Sequence, residues 1–68
     1  MNQRMCRDFI EMQKGQVVDA ITIQNQMEQI WGVYPDRMLV ALALDEMVKC
    51  NQAQVVGECD RYRKYLVK

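Results

Sequence analysis

Apolar residues recur along this chain first at helical and then at alternating spacing. From Gln3 to Lys14, Met5, Phe9 and Met12 are separated by four and three positions, and Cys6 and Ile10 widen the same face, which predicts an amphipathic helix. Gly15 suits its end, because glycine takes the left-handed conformation of a closing turn. Gln16 to Ile21, QVVDAI, reads as a short strand or an extended connector. Thr22 can cap a second helix with its hydroxyl. Ile23, Met27, Ile30 and Trp31 line one face of that helix, and Gly32 ends it.

Tyr34 to Asn51, YPDRMLVALALDEMVKCN, holds the longest apolar run. Proline is favoured at the first helical position, where its missing amide would have had no partner, so a third helix is expected from Pro35 to about Cys50. Asp36 then lies at the positive end of the helix dipole and Lys49 near the negative end. Beyond it, Ala53 to Val56 is compatible with a strand, Gly57-Glu58-Cys59-Asp60 reads as a turn, and RYRKYLV over 61–67 has the aromatic and β-branched content of a second strand. Cys59, Tyr62, Tyr65 and Leu66 also fit helical spacing, so the alternative to a C-terminal hairpin is a C-terminal helix and a small all-α bundle. With no repeat, low-complexity tract or linker, residues 1–68 read as a single domain, mainly α with a small β-hairpin.

Size makes assistance to the core an issue. A domain of this length buries only about 60% of the surface its unfolded chain exposes, and one such core supplies no more than ~3–5 kcal/mol. The three cysteines, Cys6, Cys50 and Cys59, are unaccompanied by any histidine. A closed zinc site needs four ligands, so no metal or other cofactor is expected. The cysteines read as small apolar side chains of a reduced, cytoplasmic protein, with one disulfide left open. No apolar run reaches bilayer length and the N-terminus has no signal-type segment, so no membrane association is expected. Self-association or a protein partner is the remaining supplement.

Nine basic and nine acidic residues cancel to a net charge of +0, whereas a nucleic-acid binder ordinarily carries a basic footprint. The cancellation is uneven. Arg61, Arg63, Lys64 and Lys68 outnumber Glu58 and Asp60 at the C-terminal end, while Asp19, Glu28, Asp36, Asp45 and Glu46 outnumber Arg37 and Lys49 in the middle. Catalysis finds no support: histidine, a glycine-rich phosphate loop and a GxSxG motif are all missing, and the carboxylate pairs Asp45-Glu46 and Glu58-Asp60 lack an acid–base partner. The chain is read as a non-enzyme.

The order helix, capped helix, glycine turn, helix and hairpin resembles the winged helix-turn-helix family of small transcriptional regulators. The resemblance rests on Thr22-Ile23, Gly32-Val33, Leu44-Asp45-Glu46-Met47-Val48, Val55-Val56 and Tyr65-Leu66-Val67, and extends over about two thirds of the chain. It implies a third helix in the major groove of double-stranded DNA and a wing on the phosphates. Asp36, Arg37 and Ala41 would then face the bases, and Arg61, Arg63 and Lys64 would form the wing. The third helix itself departs from this expectation, because bases are read mainly by Arg, Lys, Asn and Gln and 38–44 is wholly apolar. Met38, Leu39 and Leu42 cannot all share the core face with Val40, Ala43, Leu44 and Met47. Together with Trp31 they form an expected protein interface, for a homodimer or for a small inhibitor or adaptor of phage or plasmid type that does not touch DNA.

Overall fold

The computed structural model describes residues 2–59 and 62–68. Its elements are α1 (Gln3–Glu11), β1 (Val17–Val18), α2 (Ala20–Trp31), α3 (Arg37–Lys49), β2 (Ala53–Cys59) and β3 (Tyr62–Val67). The strands form one antiparallel sheet in the order β1-β3-β2. Three helices and a hairpin are therefore present, and the all-α alternative is overturned. Alternation decides the matter: Tyr65 and Val67 are buried on one side of β3, while Lys64 on the other side is exposed.

Local chemistry shifts several element boundaries from their expected places. The Asn2 side chain accepts from the Met5 amide at 3.0 Å and opens α1. That helix ends at Glu11 rather than Lys14, because Met12 and Gln13 donate to Phe9 and Ile10, three residues back. Asp19, not Thr22, caps α2: its carboxylate accepts from the Thr22 amide at 2.7 Å, so the helix starts at Ala20. Pro35 likewise lies one residue before the cap of α3. Asp36 takes that role, accepting from the Met38 amide at 2.8 Å, and Pro35 is buried outside the helix.

Left-handed residues close α2 and α3. Gly32 ends α2 at φ 69° with its amide on Glu28 at 3.0 Å. Asn51, at φ 60°, follows α3; it donates to Val48 at 3.1 Å, and Gln52 donates to Met47 at 2.7 Å, the paired bonds of a Schellman closure.

The core is one cluster. Cys6, Phe9 and Ile10 from α1 meet Ile23 and Met27 from α2, then Val40, Ala43, Leu44 and Met47 from α3, with Val18, Ala53, Tyr65 and Val67 closing the sheet side. Trp31 stands edge-on to Phe9, centroids 5.1 Å apart and rings at 83°. In the hairpin, Val55 pairs with Tyr65 but Gly57 pairs with Lys64, so a bulge falls at Val56. Gly57, Glu58 and Cys59 continue β2 instead of forming the expected turn, and Asp60 and Arg61 lie outside the described residues. Among the described residues no helix is long and apolar enough to cross a membrane.

Candidate nucleic-acid and protein interface

The Asp36 cap starts α3 beside the hairpin, and between them runs an open groove of about 590 Å³. Ala20, Met38, Ala41 and Leu44 contribute apolar surface to it, while Asp36, Arg37, Asp45, Tyr62, Arg63 and Tyr65 supply polar groups. Three hydrogen bonds organise those groups. Arg37 Nη1 donates to the Tyr62 hydroxyl at 2.8 Å, with the guanidinium carbon 5.4 Å from the ring centroid. The Tyr65 hydroxyl donates to Asp45 Oδ1 at 2.8 Å, and Arg63 Nε donates to Glu58 Oε1 at 3.3 Å. Burial, followed by the bond to Asp45, pushes the Tyr65 phenol above its ordinary range, and Arg63 opposes that rise.

Arg37, Ala41 and Arg63 thus line one groove. Lys64 is exposed but follows Arg63 in a strand, so the two side chains project from opposite faces of β3. Arg61 lies outside the described residues. The basic cluster that adjoins in sequence is therefore divided in space between the groove and the outer sheet face.

The expected protein-interface residues also separate. Met38 and Leu42, one helical turn apart, are exposed by 70% and 49%. Leu39 is partly buried and packs against the core. Leu42 looks onto a second groove with Gln3, Glu46 and Val55, and its carbonyl accepts from Gln3 Nε2 at 3.3 Å. Trp31 is 38% exposed and lines neither groove.

Gln24 is the participant that sequence reasoning missed. It is 3% exposed on the core side of α2, where its amide joins the turn before α3 to Arg37. The available signal was a glutamine set between Ile23 and Met27 on an apolar face. Among the described residues, no cluster of three or more His, Cys, Asp or Glu side chains could hold a metal ion. No protein-family model, curated protein or solved structure significantly matches this chain.

Proposed function

We propose that this chain is a small winged-helix module that binds double-stranded DNA in the cytoplasm, as a transcriptional regulator or an accessory factor. The observation that carries the reading is the join between Arg37 and Tyr62. It makes the first turn of α3 and the start of β3 one surface. Such a surface can lay a helix in the major groove while hairpin cations meet the flanking phosphates. The element order α1-β1-α2-α3-β2-β3 supports the same architecture, and so does the exposure of Arg37, Arg63 and Lys64.

A salt titration of binding to a mixed-sequence duplex, followed by fluorescence anisotropy, tests the proposal. Replacing Arg63 by alanine should weaken binding on all sequences and reduce the logarithmic salt slope by about 1, the share of one lost phosphate contact. Absence of binding by the wild-type chain at low ionic strength refutes the proposal.

A second reading is a protein-interaction module that uses the outward side of α3 without binding DNA, as a homodimer, inhibitor or adaptor. The exposed Met38 and Leu42 favour it. Large apolar side chains adjoining on a neutral surface suit a protein partner better than a phosphate backbone.

A further inference from the structure

A buried amide side chain has to find hydrogen-bond partners for both its ends. Gln24 finds them in two elements. Its Nε2 donates to the Pro35 carbonyl at 2.9 Å, and its Oε1 accepts from Arg37 Nε at 3.4 Å. Tyr62 takes another part of the same guanidinium, through its hydroxyl at 2.8 Å and its ring. Contacts from α2 and from β3 therefore restrain a planar group carried by the first residue of α3.

A guanidinium has five N–H donors in a fixed fork. Nε and one hydrogen of Nη1 are used, while Nη2 and the second hydrogen of Nη1 have no partner among the described residues. Three of the five hydrogens remain, two on Nη2 and one on Nη1, so donors are left on two neighbouring nitrogens. We infer that Gln24 and Tyr62 are positioning residues that hold Arg37 for bidentate recognition of the O6 and N7 acceptors of a guanine in duplex DNA. This inference rests on the DNA-binding reading.

The surrounding charges select a base edge over a phosphate. Asp36 and Asp45 line the same groove and repel an anion, whereas guanine presents neutral acceptors. The cytosine paired with that guanine also presents an N4 amino donor, which a carboxylate can accept. A G·C pair therefore complements the mixed charge of the groove, where a phosphate would complement only half of it.

Selection of the purified full chain on randomised duplexes, followed by affinities for the preferred duplex and its single-base variants, tests the inference. The wild type should prefer G·C at one position by about tenfold or more, the discrimination expected of one bidentate pair. Arg37→Lys, Gln24→Leu and Tyr62→Phe should each erase most of that preference, with the loss falling on the preferred duplex far more than on its variants. Tyr62→Phe removes a single hydroxyl and carries the test if circular dichroism shows Gln24→Leu to be unfolded. A preference that survives in Tyr62→Phe and Arg37→Lys, or an equal loss on every sequence, overturns the inference and leaves DNA binding standing. A wild-type chain that binds no duplex overturns both.

Discussion

Tyr65 couples stability to alkaline pH through a single hydroxyl. Its ring is buried against the core and its hydroxyl donates to Asp45, so the neutral phenol is favoured and its pKa is raised from 10.0. Burial likewise raises the Cys6 thiol from 9.0, against smaller effects that lower it. Above these ordinary values the unfolded chain has released protons that the folded chain retains, so stability falls as pH rises. The contribution is fully present below about pH 9 and is lost as the folded groups ionise. Urea titrations from about pH 8 to 11 should show this decline in the wild type and a shallower one in Tyr65→Phe. At about pH 8 that variant should be less stable by ~1 kcal/mol, the net worth of a typical hydrogen bond. Arg37 illustrates what one residue type could convey beforehand. Its suitability as a base reader follows from guanidinium chemistry, but its restraint by Gln24 and Tyr62 joins residues far apart in the chain and has no local periodicity to announce it.

Helix ends show where local patterns become ambiguous. Thr22 was expected to cap α2, whereas Asp19, three residues earlier, takes that role. The earlier start prevails as Ala20 joins the core and the Asp19 carboxylate meets the positive helix end. Asp19→Ala should therefore cost about 1 kcal/mol in thermal unfolding. Thr22→Ala should change stability by no more than about 0.5 kcal/mol, since its hydroxyl is not the cap. A larger effect at Thr22 than at Asp19 contradicts this assignment. At α3, the Pro35-Asp36 pair was legible as a helix start, with the cap displaced by one residue. The hairpin was legible from its β-branched and aromatic content, but its extent was not. Gly57 read as a turn residue and instead continues a strand just past a bulge, the other position at which glycine interrupts a strand pattern.

For the molecule as a whole, the composition gives a net charge of +0, yet the division of the surface into grooves emerges only when α2, α3 and β3 are brought together. The apolar surplus on α3 was visible as a run, and packing then separates Leu39 from Met38 and Leu42. Leu42→Asp is consequently the cleaner probe of self-association. If α3 pairs two copies, analytical ultracentrifugation should find a wild-type dimer and a folded Leu42→Asp monomer. A wild-type chain that stays monomeric at high concentration excludes the homodimer form of the protein-interaction reading. The sheet order also imposes a schedule. β2 and β3 adjoin in the chain, but β1 reaches β3 only by pairing Val17 with Leu66, about fifty positions away. Closing so long a loop yields only a two-residue strand and the bonds of Gly15 and Gln16 to Val67. The hairpin can zip on its own timescale, whereas β1 must wait until α2 and α3 have brought it within reach. The strand that completes the sheet is thus expected to pair last, so protection of its backbone amides from exchange would report whether everything between has already found its place.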